Sequence, residues 1–502
     1  MSNVASLKST IAKESEEIPF KWSFHGNIVI PTGNPFLSTI PLQENHPDVE
    51  WLGPGLKLCR EHVLIVDNGG VIIHLAHASS LDLSVLQGKR GYVELGPHEF
   101  LSPGFIDLHI HAPQFAFTGT ATDRPLMGHD GWLETYTFPA ERSLQDDVST
   151  ARRVYEGVVR KSLSFGTTTA CYFATLHLEP CKILADVALA LGQRALVGKV
   201  CMDRNSPENY VQSTQQNVDE TIELIEYVRS RAGKQQEGSL LPMLLPIITP
   251  RFIPTCTPEL LKALGQIAAD YCCHIQSHIS ESVDQVEYTR MLEGPGKTDA
   301  EIFDSHALLS DKCIMAHGVH LSDPDLDLMR TRGSAVAHCP LSNFFFAGST
   351  LPCRKLMERQ NKVGLGTDVA GGYSPSMISS ACMAVVASHA HQQSTGEVAC
   401  LDYRHAFYLA TMGGAEALGV SDKIGTFAVG MELDALILTV SNNVDVFEND
   451  TSADIFQKIL NLGDDRNVKR VFVQGQESTG RGIAVHRTAT IADASSTSIS
   501  SK

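Results

Sequence analysis

Short apolar runs alternate with longer amphipathic segments along the middle of the chain. Eight of these runs have the length and composition of buried strands, at residues 105–112, 167–175, 195–203, 243–250, 273–280, 313–320, 334–341 and 362–369. Segments with helical spacing lie between most of them. Strands that are apolar on both faces and alternate with helices predict an α/β protein whose core, residues 103–424, is a parallel (β/α)8 TIM barrel.

Helix boundary signals support this alternation. Thr257 stands before a proline and an apolar pattern of helical period, which predicts the start of a helix. Ser322 and Asp325 have the spacing of a capping pair, and Gly333 stands where the same helix should end. The intervening segments are therefore expected to be helices that cover the barrel.

The pattern changes on both sides of the barrel segment, where short apolar strands and turns replace the alternation. Residues 1–102 contain several such strands, and Asn68-Gly69-Gly70 between two apolar runs predicts a hairpin turn. Residues 425–486 have the same character. We expect these two segments to form one small composite β domain, and the Ser/Thr-rich tail 487–502 to be disordered.

Composition and charge then exclude several classes of protein. The 502 residues are 43% hydrophobic and 19% charged, as in soluble globular proteins, and no apolar run is long enough to predict a membrane span. The 40 basic and 57 acidic residues give a net charge of -17 without a basic stretch, which argues against nucleic-acid binding. Twelve scattered cysteines and an N-terminus without an apolar signal core favour the cytoplasm.

Polar residues gather at the carboxyl ends of the predicted barrel strands. His109 and His111 end the first strand, His278 lies near the end of the fifth, and Asp368 ends the eighth. Alternate residues of a strand share a face, so His109 and His111 should point together into the barrel mouth, where this fold builds active sites. Three imidazoles and a carboxylate predict a site for a zinc-type metal that can still take a water. Hydrogen-bonded core histidines are the alternative explanation, but they explain only the H-x-H pair and leave His278 and Asp368 unexplained.

Other residues near strand ends allow two interpretations. His317 ends the sixth strand and either ligates the metal or orients its water. His338 on the seventh strand is either a further member of the site or, as its position favours, a structural residue. Glu281 is either a helix N-terminal glutamate or, as the metal context favours, a group that faces the bound water. Arg251 follows the fourth strand, where two-metal barrels commonly have a carbamylated lysine. Because arginine cannot ligate a metal, we expect one ion per chain.

Ten motifs give the chain a family resemblance. In order between about residues 95 and 475 they are PGFIDLHIHAPQF, YTFPAER, FGTTTACYFAT, GKVCMDRN, ITPRF, HIQSHISE, MAHGVHLS, AHCPLSNF, GLGTDVAGGYS and NLGDDRNVKRVFV. The chain resembles the amidohydrolase superfamily of metal-dependent hydrolases and, within it, the eukaryotic guanine deaminase family. H-x-H and T-D are general to the superfamily, whereas YTFPAE, ITPRF and LGDDRN are more specific.

The resemblance implies a homodimeric zinc enzyme of purine catabolism that hydrolyses guanine to xanthine and ammonia. It implies zinc ligation by His109, His111, His278 and Asp368, with catalytic roles for Glu281, Asp368 and His317. The side chains expected to contact guanine are those of His111, Gln114, Arg251, Phe252, His278, Glu281 and Asp368.

The chemistry expected at such a site follows from these residue types. Zinc-activated hydroxide would attack C2 of guanine, and Glu281 would shuttle a proton to N3 and then to the departing amine. Arg251 can only donate hydrogen bonds, which suits guanine O6 and not the amine of adenine. Phe252 either stacks on the purine or simply packs. The segment 113–145 is either a wall or lid of the site or a rigid structural loop.

Other functions remain open from the sequence. A hydrolase of the same barrel family could act on another amino-heterocycle, such as an adenine or a triazine. A barrel that has lost catalysis and serves as a scaffold is a second alternative, although the full ligand set argues against it. The unrelated zinc deaminase fold is set aside, because its P-C-x-x-C motif is absent.

Overall fold

The computed structural model describes residues 20–40, 47–120, 124–128, 130–232, 239–294 and 296–478. The tail that the sequence predicts to be disordered, 487–502, lies outside these residues. Among the described residues, none of the helices combines the length and apolarity that a membrane crossing requires.

Strands from both ends of the chain form one sheet, as predicted for the composite β domain. Its strands are β1 (Trp22–Pro31), β2 (Val49–Gly53), β3 (Leu56–Val66), β4 (Ile72–His77), β5 (Tyr92–Glu94), β6 (Glu99–Pro103), β16 (Ala435–Thr439), β17 (Val468–Val473) and β18 (Gln476–Glu477). Their order is β18-β17-β16-β6-β1-β3-β2, with β4 on β3 and β5 on β1. The two halves meet where β16 pairs antiparallel with β6. The predicted turn Asn68-Gly69-Gly70 joins the antiparallel strands β3 and β4.

Eight parallel strands form the predicted barrel. They are β7 (Phe105–His111), β8 (Thr167–Phe173), β9 (Arg194–Gly198), β11 (Leu244–Pro250), β12 (His274–Ile279), β13 (Cys313–His317), β14 (Ala335–His338) and β15 (Lys362–Leu365), and the short β10 (Val200–Cys201) also pairs with β11. The first and last strands meet through backbone hydrogen bonds, from Asp368 N to His109 O at 2.8 Å and from His111 N to Val369 O at 3.0 Å. The barrel is therefore nearly closed, and its seam lies at two candidate ligands.

Helices surround the barrel and connect its strands. The α-helices are Phe138–Asp146, Val148–Ser164, Leu178–Leu191, Thr214–Ala232, Pro258–Asp270, Val283–Glu293, Asp299–Ser305, Asp323–Arg332, Pro340–Ser342, Cys353–Glu358, Met377–Thr395, Tyr403–Ala410, Met412–Ala417 and Ser452–Leu462. Thr257 accepts from Leu260 N at the predicted helix start. Ser322 and Asp325 form the predicted capping box, and Gly333 ends that helix with a φ of +75°.

A buried ion cluster joins the small sheet to the amino end of the barrel. Arg194, the first residue of β9, donates to Glu432 Oε2 at 2.9 Å and to Asp434 Oδ1 at 3.2 Å. Its Nη1 also donates to the carbonyl oxygen of Leu241 at 2.9 Å. All three charged side chains are buried. The small sheet is therefore anchored at the amino end of the barrel. The carboxyl end, where the strands finish, remains available for a functional site.

Candidate active site

The four predicted metal ligands meet at the carboxyl end of the barrel. His109 and His111 point to the same side of β7, and His278 lies on β12. His111 Nε2 and His278 Nε2 are 3.1 Å apart. Asp368 follows β15, and its Oδ1 lies 3.1 Å from His109 Nε2 and 3.4 Å from His111 Nε2. These residues therefore form a compact cluster of nitrogen and oxygen donors.

The hydrogen bonding of the cluster fits a metal ion. The carbonyl oxygen of Arg251 accepts from His278 Nδ1 at 2.6 Å, so a neutral His278 has its lone pair on Nε2, facing His111. His109 Nε2 is buried without a hydrogen-bond partner in the described part of the chain, although Asp368 Oδ1 lies beside it. Lone pairs that converge in this way are stabilised by a divalent cation between them. Three nitrogens and one oxygen are a donor set that suits zinc.

Burial determines the protonation of these candidate ligands. It lowers the pKa values of His109, His111 and His278 well below their usual range, and neighbouring imidazoles lower those values further. Neutral imidazole is the form that ligates metals. Burial also raises the pKa of the Asp368 carboxyl, a shift that a bound cation would oppose.

Asp107 holds the seam at which the first and last strands meet. Its Oδ1 accepts from His109 N at 3.1 Å and from Thr367 N at 3.0 Å, and its Oδ2 accepts from Thr367 Oγ1 at 2.6 Å. Burial raises the pKa of Asp107 to about 7. One side chain thus fixes the backbone of His109 and of the residue before Asp368.

The backbone turns sharply at three positions on the rim. Ser280, His317 and Asp368 have φ values of +43°, +72° and +49°, a region that residues other than glycine adopt rarely. All three lie at or just after the ends of barrel strands. Uncommon backbone conformations concentrate at functional sites, where the surrounding structure holds them.

The carboxylate of Glu281 lies beside the ligand cluster. Its Oε1 is 3.6 Å from His317 Nε2, which in turn is 3.8 Å from Asp368 Oδ2. Burial raises the pKa of Glu281 well above its usual range, and the carboxylate of Asp368 raises it further. A buried carboxyl with a raised pKa is suited to proton transfer near neutral pH.

A second buried carboxylate holds the backbone of Glu281 in place. Asp299 Oδ2 accepts from Ser280 N at 2.8 Å and from Gln285 Nε2 at 3.3 Å. Gln285 Oε1 in turn accepts from Glu281 N at 3.0 Å. Asp299 therefore supports the turn at Ser280 and, through Gln285, the residue after it.

Two further histidines have different surroundings. His317 Nδ1 pairs with Asn343 Oδ1 at 3.0 Å, so that Nε2 faces Glu281 and Asp368. His338 is buried, and neither of its ring nitrogens has a hydrogen-bond partner among the described residues. His338 does not line the pocket above the cluster.

An open pocket lies over the cluster. Its polar wall includes Gln114, Arg251 and Glu281, and Phe252 also lines it. The segment predicted to be a wall or lid contributes Leu126, Trp132 and Leu133 to the apolar side, with Phe346 from the π-helical turn Asn343–Ala347. The described residues of this segment therefore form part of the pocket wall.

The structure brings the candidate site residues together at the barrel mouth. They are His109, His111, Gln114, Arg251, Phe252, His278, Glu281, His317 and Asp368. The sequence did not indicate a role for Glu141, a buried residue of the motif YTFPAE. Glu141 accepts hydrogen bonds from Arg251 and Gln114. Nothing in the local spacing connects it with Arg251, because the two residues are 110 positions apart.

Comparison with known proteins gives a consistent result. A family model described as the amidohydrolase family matches residues 100–477. A guanine deaminase of Dictyostelium discoideum is 40% identical over 428 residues, which cover 82% of this chain and 92% of that protein. A guanine deaminase of Homo sapiens is 40% identical over 439 residues, which cover 85% of this chain and 94% of that protein.

A solved structure shows the same architecture. It is the crystal structure of a guanine deaminase from C. acetobutylicum with guanine bound in the active site. Its sequence is 28% identical, and the superposition covers 91% of this chain and 99% of that chain with a TM-score of 0.78. The similarity therefore extends over the barrel and the small sheet together.

Proposed function

This chain belongs to the amidohydrolase family, and on that basis we propose that it hydrolyses guanine to xanthine and ammonia. The position of Arg251 carries the proposal, because its side chain lines the same pocket as Glu281, His278 and Asp368. A guanidinium can only donate hydrogen bonds, so this wall suits the O6 acceptor of guanine and not the amine of adenine. Relatives named as guanine deaminases support the same substrate.

We further propose one zinc ion per chain, held by His109, His111, His278 and Asp368. The orphaned Nε2 of His109 and the facing Nε2 atoms of His111 and His278 support this site. When bound, zinc would act as a Lewis acid that lowers the pKa of a ligated water to about 7. A second ion has no lysine ligand at the end of the fourth barrel strand, since Arg251 stands there and donates to Glu141.

Asp368 and His317 would hold the attacking water. Asp368 Oδ2 and His317 Nε2 are 3.8 Å apart, and Asn343 fixes the orientation of the His317 ring. Asp368 would accept the proton that the water releases as its oxygen bonds to C2 of guanine. Whether His317 also ligates the metal is a separate question, which a metal titration of His317→Gln answers.

Glu281 would carry protons between the water and the purine. It would donate one proton to N3, which makes C2 more electrophilic, and then deliver one to the 2-amino group. The C2–N bond then breaks and ammonia leaves, while the oxygen of the water stays on C2. The proton for the amine would come from the new hydroxyl on C2, which gives it to Glu281 as the carbonyl forms, and the proton on Asp368 would then return to Glu281. Guanine and water are thus converted to xanthine and ammonia, and both carboxyl groups regain their starting states.

The remaining side chains of the pocket would position the ring. Gln114 has both a donor and an acceptor and would contact one edge of the purine. Phe252 is buried beside His278, with ring centroids 6.3 Å apart, and would pack against the purine. Trp132 and Leu133 would exclude bulk water from the reacting atoms.

Release of ammonia from guanine, adenine and a triazine tests the substrate assignment. We expect product from guanine alone, with the absorbance change of xanthine formation, and loss of activity on chelation. Turnover of adenine or the triazine in place of guanine would favour another member of the same barrel family. No turnover of any substrate by zinc-loaded protein would favour a scaffold.

Glu281→Gln tests the proton shuttle. The amide keeps the shape of the side chain but cannot exchange a proton, so we expect a loss of about 10²–10⁴-fold in kcat with zinc content unchanged. Glu287→Gln, on the exposed side of the helix Val283–Glu293 that follows Glu281, is the matched control and should keep full activity. Full activity of Glu281→Gln would remove Glu281 from the mechanism.

We also propose that the chain acts as a cytoplasmic homodimer in guanine catabolism. The family resemblance supports the dimer, and twelve cysteines without a disulfide support a reducing compartment. Light scattering of the purified protein would measure the oligomeric state, and a fluorescent fusion would report its location in the cell.

A further inference from the structure

We propose that Glu141 is a positioning residue that fixes Arg251 and Gln114 and thereby makes the pocket select purines with an oxygen at position 6. Glu141 is fully buried and does not line the pocket, so it acts through its two partners. The inference rests on the proposed function for the identity of the ligand. It deepens that proposal by naming what sets the selectivity of the purine pocket.

Arg251 is held by two parallel hydrogen bonds. Its Nη1 donates to Glu141 Oε2 at 2.8 Å, and its Nη2 donates to Glu141 Oε1 at 3.2 Å. This fork geometry fixes the plane of the guanidinium as well as its position. The remaining N–H groups of Arg251 are then the ones available to the pocket.

The same helix supports the guanidinium on a second side. Phe138 and Glu141 are three residues apart on the helix Phe138–Asp146, so both side chains lie on one helical face. The guanidinium carbon of Arg251 lies 4.9 Å from the centroid of the Phe138 ring. The motif YTFPAE therefore provides both an aromatic face and a carboxylate for one arginine.

Glu141 also determines which way the amide of Gln114 points. Gln114 Nε2 donates to Glu141 Oε1 at 2.9 Å, and Gln114 Oε1 accepts from Ala370 N at 3.3 Å. A carboxylate and a backbone N–H cannot exchange these roles, so the amide has one orientation. Tyr210 fixes the carboxylate itself, by donating to Glu141 Oε2 at 2.7 Å.

Charge compensation explains the selectivity. A buried, unpaired guanidinium would attract anions, but the carboxylate of Glu141 neutralises Arg251 within the wall of the pocket. This part of the wall then presents fixed hydrogen-bond donors, and the Arg251–Glu141 pair carries no net charge. Such a wall stabilises a neutral carbonyl oxygen, and it leaves a buried donor unpaired when the ligand has no oxygen there.

Binding of hypoxanthine and of unsubstituted purine tests this inference. The first has an oxygen at position 6 and the second does not, and neither has the 2-amino group on which turnover depends. Isothermal titration of the zinc-loaded protein with each ligand gives the ratio of the two dissociation constants. We expect hypoxanthine to bind the unmodified protein at least 100-fold more tightly than purine.

In Glu141→Gln we expect this ratio to fall at least tenfold, because hypoxanthine binds more weakly while purine changes less than threefold. In Glu141→Asp, which keeps the charge but shortens the side chain, we expect a fall of at least threefold. Glu416→Gln is the matched control, since Glu416 accepts a hydrogen bond from Tyr408 outside the pocket. Melting temperatures identify the variants that fold. If Glu141→Gln does not fold, the ratio measured for Glu141→Asp alone tests the inference.

An unchanged ratio in a folded variant, or an equal loss for both ligands, would overturn the inference and leave Glu141 a structural role. The binding assay does not depend on turnover. If the unmodified protein does not deaminate guanine but the ratio still falls in Glu141→Asp, the proposed function fails and the positioning role of Glu141 stands.

Discussion

His109 Nε2 lies 3.1 Å from Asp368 Oδ1, across the seam at which the first and last barrel strands meet. The backbones of the same two residues are hydrogen bonded, with Asp368 N donating to His109 O at 2.8 Å. Asp107 holds both sides of this seam through His109 N and Thr367. The arrangement of the proposed ligands and the closure of the barrel therefore depend on the same contacts.

Asp107→Asn should weaken both the fold and the metal site. The amide nitrogen of the variant would face donors that now bind a carboxylate, so we expect the free energy of unfolding to fall by about 1–3 kcal/mol. Because Asp107 holds the backbone of His109, a proposed ligand, metal affinity should fall by about tenfold or more. Urea unfolding and competition with a chromogenic chelator measure the two effects. Asp186→Asn, which loses a surface contact with Arg231, is the control, and equal values for both variants would contradict the role of Asp107.

Removal of the metal should destabilise the protein. The cluster places lone pairs of His109, His111 and His278 close together, so an ion that binds only the folded state adds about 2.7 kcal/mol at 100 times its Kd. We expect chelation to lower the melting temperature and abolish activity, and zinc to restore both. In Asp368→Asn, chelation should have a much smaller effect. A melting temperature that chelation leaves unchanged in the unmodified protein would argue against the metal site.

Asp299→Asn should lower turnover while zinc content stays the same. Asp299 supports the backbone turn at Ser280 and, through Gln285, the position of Glu281. Because a small displacement of Glu281, the proposed catalytic group, would slow the reaction strongly, we expect kcat to fall about 10–100-fold with little change in KM. Asp304→Asn is the matched control, since Asp304 lies on the same helix and binds Arg332 at the surface. Equal kcat values for the two variants would contradict this prediction.

His338 should make the stability depend on pH. Burial lowers the pKa of His338 from 6.5 to about 3, so the unfolded chain binds a proton between these pH values and the folded chain does not. The contribution of His338 to stability is therefore complete above pH 6.5 and decreases as the pH falls. We expect a loss of about 2 kcal/mol at pH 5 relative to pH 8, which His338→Gln should abolish.

Urea unfolding of the unmodified protein and of His338→Gln, each at pH 5 and pH 8, measures this loss of stability. The effect of pH on all other groups cancels when the two proteins are compared. His389→Gln, at an exposed histidine, is the control and should behave as the unmodified protein does. If His338→Gln loses as much stability between pH 8 and pH 5 as the unmodified protein does, then His338 is not the group responsible.

The sequence by itself determined the architecture. Apolar runs of strand length, separated by helices with clear caps at Thr257 and Ser322, predicted the eight-stranded barrel, and the structure has these elements. The sequence also indicated His109, His111, His278 and Asp368 as neighbours. Both results follow from local rules, since strand period fixes the face of a side chain and parallel strands bring their carboxyl ends to one edge.

Only the tertiary structure decided which residues support that site. Glu141 lies on a helix after the first barrel strand and Arg251 after the fourth, and no local spacing predicts that their side chains form two hydrogen bonds. The same holds for Asp107 with Thr367. Such pairs depend on where packed helices and strands place buried polar groups, which must find partners because they have no access to water. Local pattern determined the elements and their ends, and packing in three dimensions determined the partners.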